Sequence, residues 1–177
     1  MRRLRILAPV ILLVLAFVVP AHAGGVKIAY ADLQKALNRS DAGVNAKEEL
    51  KREAAKLEKE LNAEQEEIKK LKQEIDKKRK VWKKNTLLAK EKAFNAKAKA
   101  FQKKFVKYND SLNKKKVEKE AEIIKELREV VRELAKKRGY TYVFEKSAGG
   151  ILYAPVEADL TDDVIKLYNL RTRKAAK

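Results

Sequence analysis

The side chains able to do chemistry are few in kind. The 177-residue chain has no cysteine, and its one histidine, His22, and one methionine, Met1, both lie in the first 23 residues. Thiolate nucleophiles, disulfides and thiolate metal sites are excluded. Beyond residue 23 a zinc ion would need carboxylates alone, which is unusual, and the commonest general base is missing. Asp159, Asp162 and Asp163 lack the spacing and the glycine of a calcium loop, so helix capping is their expected role. Gly149-Gly150 has no phosphate-loop context and reads as a turn. No catalytic set, cofactor or metal is expected, and the chain does not read as an enzyme.

What remains is cationic chemistry. Lys and Arg number 43 against 25 Asp and Glu, a formal charge of +18. The excess is localised: Lys69 to Lys116 holds 19 basic residues and only Glu74, Asp76, Glu91 and Asp110 as acids. It culminates in Lys77, Lys78, Arg79, Lys80, Lys83 and Lys84, and continues through Lys90, Lys92, Lys97, Lys99, Lys103 and Lys104. Such a surface attracts an acidic polypeptide, an anionic lipid or a nucleic acid. The alternative is a solvated helical face, but solubility needs only a net charge of about 2–8. Aromatic residues interleave with the cations. At 4-3 spacing Phe94, Phe101, Phe105 and Tyr108 read as a packing seam. Trp82, flanked by lysines, is the one expected at a surface and suits a membrane interface.

The elements that carry this charge are punctuated at the ends of the chain. Met1 to Arg5 is basic, Ile6 to Val19 is apolar apart from Pro9, and Ala21-His22-Ala23 is an A-x-A cleavage pattern. Residues 1–23 therefore read as a secretory signal peptide, since an uncleaved anchor would need about 20 apolar residues. Its removal leaves a chain of +15, a value matched by the basic stretch alone. From Val44 to Arg138 there is neither Gly nor Pro, and Lys, Glu, Ala and Leu dominate. Leu50, Ala54, Leu57, Leu61, Ile68, Leu71, Ile75 and Trp82 form an a/d seam. A second seam runs Phe94, Ala98, Phe101, Phe105, Tyr108, Leu112, and a third runs Val117, Glu120, Ile124, Leu127, Val131, Leu134. The five-residue step from Leu112 to Val117 implies a break of register. One helix of about 140 Å, or a hairpin of two helices of about 60–75 Å, fits the stretch. The hairpin is favoured, with its turn near 83–88 and Thr86 capping the second helix.

The flanks, 24–43 and 139–177, read as a β-rich oligomerisation body. Strands are expected at Val26–Tyr30, at Tyr140–Glu145 and at Ile151–Tyr153, the last after Gly149-Gly150. Thr161 is expected to cap a final helix running to about Asn169, and the tail from Arg171 to fray. The fold class is thus α+β, mostly α, with a long antiparallel hairpin inserted in a small β headpiece. Three short strands bury too little alone. Val26, Ile28, Tyr30, Tyr142, Phe144, Ile151 and Tyr153 are therefore expected to meet other copies of the chain.

The opening VKIAYADLQKALNRSDAGVNA, the Lys/Glu/Ala hairpin and the closing YTYVFEKSAGGILYAPVEADLTDDVIKLYN resemble the OmpH/Skp family of periplasmic chaperones. The resemblance spans nearly the whole chain after the signal peptide, and its ends are more specific than its hairpin. It implies a homotrimer with a small β-barrel body and three arms enclosing a cavity. It also implies an ATP-independent holdase that carries unfolded outer-membrane proteins across the periplasm. Contact of the arms with lipopolysaccharide or anionic lipid has been proposed in the family. The other readings are a structural coiled-coil adaptor of the envelope and an adventitious nucleic-acid binder, with no physiological nucleic acid expected for an exported chain.

Overall fold

Ninety-five residues of helix-forming sequence fold here as two antiparallel helices. The computed structural model describes residues 25–175, so the expected signal peptide, 1–23, lies outside the described residues. In chain order the elements are β1 (Ile28–Ala31), α1 (Leu33–Arg39), α2 (Asp41–Lys78), α3 (Lys84–Arg138), β2 (Tyr142–Glu145), a 3-10 turn (Val156–Ala158) and α4 (Thr161–Ala175). At 1.5 Å per residue α2 is about 57 Å long and α3 about 82 Å. The extra length of α3 runs past the start of α2 and becomes part of the body.

The hairpin turn is Arg79 to Lys83, earlier than the expected 83–88. The N–H groups of Val81 and Trp82 both donate to the Lys78 carbonyl at 3.0 Å. Lys83 is extended (φ −60°, ψ 145°) and holds the cap position of α3 without a side-chain cap. Thr86 therefore sits inside the first turn of α3. No non-glycine residue has positive φ among the described residues. This link stays in ordinary backbone regions and needs neither Gly nor Asn, so the Asn-Thr signal misplaced it.

In the body, β1 and β2 pair in parallel, Ile28 opposite Tyr142 and Ala31 opposite Glu145. The whole hairpin is the crossover between them. One face of the pair, with Ala29 and Ala31, packs on Leu33, Ala36 and Leu37 of α1, on Leu127, Val130 and Leu134 of α3, and on Leu160, Val164 and Tyr168. Tyr168 is buried among these apolar groups and satisfies its hydroxyl by donating to Glu126 at 2.5 Å. Burial and this acidic partner push the phenol far above its ordinary range.

Four local expectations are corrected. Ile151–Tyr153 forms no strand: Leu152 is wholly exposed, and among the described residues no strand pairs with it. The outer edge of β1 is instead taken by the segment before α4, through a bridge between Tyr30 and Asp159 and a 2.8 Å bond from Leu160 N–H to the Tyr30 carbonyl. Thr161 is not the cap of α4. Asp159 accepts from the Thr161 N–H at 2.9 Å, while the Thr161 hydroxyl accepts from the Asp32 N–H at 2.9 Å and ties α4 to the start of α1. α4 continues to Ala175 because its last turns are docked: Arg171 pairs with Glu133, and Arg173 with Asp41 at 2.8 Å. Finally, the third seam does not begin at Val117. Val117 is exposed, and the buried residues of α3 are Ile123, Leu127, Val130 and Leu134. Between Leu112 and Ile123 charged side chains occupy the seam, so apolar spacing could not follow it.

Ser40 ends α1 and caps α2, accepting from the Gly43 N–H at 3.2 Å. A Cβ on Gly43 would lie 1.7 Å from the Leu37 carbonyl oxygen. Gly43→Ala must therefore push α1 and α2 apart. We expect it to destabilise the body by about 3 kcal/mol, at the upper end for overpacking, read as a fall in the urea midpoint. An unchanged midpoint would show that this junction is not close-packed.

Candidate interaction surface along the helical arm

The arm seam is narrow. Leu50, Leu57, Leu61, Ile68 and Leu71 are only half-buried, and Ile75 is the one buried residue of α2. Across it runs a series of polar contacts from α2 carboxylates to α3. Glu74 meets Lys90 at 3.2 Å, Glu67 meets Lys97 at 3.0 Å, and Glu64 meets Lys104. Nearer the body Glu60 accepts from the Tyr108 hydroxyl at 3.4 Å, Glu53 meets Lys115, and Glu49 meets Lys119 at 2.8 Å. At the tip Arg79 closes on Glu91 at 2.9 Å. Residue numbers fall along α2 as they rise along α3, as antiparallel helices require. Hydrogen bonds from Lys97 and Lys119 hold the Glu67 and Glu49 carboxyls below their usual range, and the bond to Glu64 raises the Lys104 ammonium.

This ladder sorts the basic residues singled out in the sequence. Lys90, Lys97 and Lys104 are partnered within the arm, and Arg79 is held by Glu91. Lys78 lies 3.9 Å from Glu74. Lys77, Lys80, Lys83, Lys84, Lys92, Lys99 and Lys103 are exposed and make no ion pair among the described residues. The ladder was readable in principle: Glu53, Glu60, Glu67 and Glu74 recur every seven residues, as do Lys90, Lys97 and Lys104. Apolar spacing alone does not reveal it.

Two aromatic expectations change. Trp82 is half-buried, its ring flanked by the ammonium groups of Lys78 at 5.8 Å and Lys90 at 5.5 Å. These contacts are cation–π in geometry and fold the indole back on the arm. The exposed apolar residue of the tip is Val81, at 82%. Phe105 leaves the seam, since Lys104 takes the place beside Glu64; the residue is 44% exposed and its ring lies 6.4 Å from that of Phe101.

At the other end, the sheet face turned away from the core is apolar and open. Val26, Ile28, Tyr142 and Phe144 are exposed there, the last two with rings 6.4 Å apart, and Tyr153 is also exposed. Ile151 is half-buried. Tyr30 departs from the expected set: it is buried within the chain, next to Asp159, with the Lys146 ammonium 5.7 Å from its ring. Among the described residues no group of three His, Cys, Asp or Glu is placed to hold a metal, and no helix is long and apolar enough to cross a membrane.

With this geometry in place, comparison with known proteins adds the following. A model of the OmpH family, outer membrane protein (OmpH-like), matches residues 27–168. A crystal structure from Caulobacter crescentus, described as a candidate outer membrane chaperone (OmpH-like), superposes with a TM-score of 0.77 at 18% identity. The match covers 83% of this chain and 86% of that one. No curated protein matches.

The lowered carboxyls of Glu67 and Glu49 predict how the arm responds to acid. A carboxyl lowered in the folded state contributes stability above its unfolded value, about 4.3 for Glu, and loses it as pH falls through the lowered one. The arm should therefore keep its helicity from pH 8 to pH 5 and open on further acidification towards pH 3. Fluorescence of Trp82, the only tryptophan, reports the tip and separates it from the body. Helicity unchanged from pH 6 to pH 2 would contradict this.

Proposed function

The chain belongs to the OmpH-like outer membrane protein family, and from that premise we propose that it is a periplasmic holdase chaperone. In this reading residues 1–23 export it, and it keeps unfolded outer-membrane β-barrel proteins from aggregating without ATP. The observation that carries the reading is the sorting of charge along the hairpin. Acidic side chains of α2 are used on α3, while Lys77, Lys80, Lys83, Lys84, Lys92, Lys99 and Lys103 stand exposed without an ion pair among the described residues. Long-range attraction from such a surface speeds capture of an acidic chain without reading its sequence. Contacts that are weak and spread out leave release to the client's own folding or insertion.

A homotrimer built at the sheet completes the proposal. An isolated two-stranded sheet is marginal, and here its open face carries Ile28, Tyr142 and Phe144, while the segment Ile151–Tyr153 has no partner strand among the described residues. Strands from neighbouring copies would cover both and close a small barrel, leaving the arms to surround a space. The tip supports a second contact, with lipopolysaccharide or anionic lipid, because Val81 projects between Lys80 and Lys83. A passive coiled-coil spacer gives no reason for unpaired cations. Binding to nucleic acid would be adventitious and steeply salt-dependent.

A denatured outer-membrane β-barrel protein diluted from urea should stay clear of light scattering when this protein is present without nucleotide. Replacing Lys77, Lys80, Lys83 and Lys84 with Gln should slow capture several-fold at low salt and leave the oligomer's mass unchanged. Equal capture by that variant would reduce the tip charge to a solubilising role. Aggregation at the same rate with and without the wild-type protein would sink the chaperone reading.

A further inference from the structure

The face of α3 turned away from the seam has a pattern of its own. Leu88, Val106 and Val117 are exposed at 54%, 49% and 56%. They are separated by 18 and 11 residues, which is five and three turns of a 3.6-residue helix, so they lie in one stripe. Between them the same stripe presents Lys92 and Lys99, with Lys103 at its edge, all exposed and without an ion pair among the described residues. Asn95, Gln102 and Asn113 fill the intervening places, also exposed. Asp110 is the one acid on it. Beside Val106 a shallow open groove of about 390 Å³ lies between Gln102, Lys103, Lys107 and Asp110.

We propose that this outer stripe of α3, about 44 Å from Leu88 to Val117 at 1.5 Å per residue, is a binding track for an extended, net-acidic, unfolded polypeptide. The three residue types suit the parts of such a chain. Amide side chains both donate and accept, and so match exposed peptide groups. Lysines attract carboxylates, and isolated aliphatic residues cover apolar side chains without demanding a particular spacing. A partner coiled-coil helix would require an unbroken apolar a/d seam. A lipid surface would require a continuous apolar face. The stripe offers neither, and its charge complements an acidic chain. The inference extends the chaperone reading by naming where on the arm the chain lies, and it is tested with a probe that is not an outer-membrane protein.

The probe is reduced and carboxymethylated α-lactalbumin, an acidic polypeptide that stays unfolded, with affinity read by fluorescence anisotropy. Leu88→Ser/Val106→Ser/Val117→Ser and, separately, Lys92→Gln/Lys99→Gln/Lys103→Gln should each weaken binding at least fivefold. Val44→Ser, an exposed aliphatic change on α2, should leave it unchanged. Circular dichroism and native mass should match the wild type in all three variants; a stripe variant that loses helix is replaced by its single substitutions, read in the same assay. Unaltered affinity in both stripe variants overturns the proposal, as does a wild-type protein that ignores this probe while still protecting an outer-membrane protein. Loss of binding to phosphatidylglycerol vesicles without loss of polypeptide binding overturns it in favour of a lipid surface. Binding of the probe with no protection of outer-membrane proteins supports the track and contradicts only the client class.

Discussion

The arm is held in register by carboxylates of α2 reaching lysines of α3, and much of the molecule follows from that pairing. A seam with a single buried residue on α2 gives little hydrophobic drive to two helices this long. Surface ion pairs are individually weak, worth about 0–1 kcal/mol, but six polar rungs from Glu49–Lys119 to Glu74–Lys90 act on one interface. They also decide which charges remain available. Five of the rungs pair a lysine with a carboxylate, and exposed cations such as Lys92, Lys99 and Lys103 are ones the ladder does not reach. An arm closed mainly by charge is easier to open than one closed by a wide apolar seam.

The body works by the opposite means. Its stability rests on Leu127, Val130 and Leu134, the overhang of α3 beyond the start of α2, closed between α1, β1 and α4. Because one helix belongs to both halves, the direction of the arm is fixed by the packing of the body. The polar groups at this junction are local and satisfied: Thr161 to Asp32, Tyr168 to Glu126, Arg138 to Asp163. Gly139, at φ 68°, then turns the chain from α3 into β2 in a conformation that suits glycine.

Much of this was legible in the sequence. The absence of Gly and Pro from Val44 to Arg138, with Leu50 to Ile75 at 4-3 spacing, announced a helical hairpin. Val26–Tyr30 and Tyr140–Glu145 announced the strand pair. What was not legible has physical causes. Ile151–Tyr153 has the composition of a strand, but strand formation needs a neighbour, and none lies beside it among the described residues. The turn at Arg79–Lys83 uses only ordinary backbone angles and leaves no residue signal. Phe105 and Val117 fit an apolar repeat by spacing, yet Lys104 with Glu64, and Lys115 with Glu53, take the contacts across the arm. The tail beyond Arg171 looked free because its anchors, Glu133 and Asp41, are distant in sequence. Of the candidate surface, the concentration of cations was readable; which of them are partnered was written in the heptads of Glu and Lys, a pattern outside apolar periodicity.

The central claim is that a basic-armed oligomer holds an unfolded outer-membrane protein in solution without nucleotide. Native mass spectrometry of the protein mixed with such a client tests it most directly, since it reports oligomer and cargo in one measurement. The account predicts a complex of three chains with one client, stable at low salt and weakened as salt is raised. A protein that remains without client under these conditions, or that is monomeric, would contradict it.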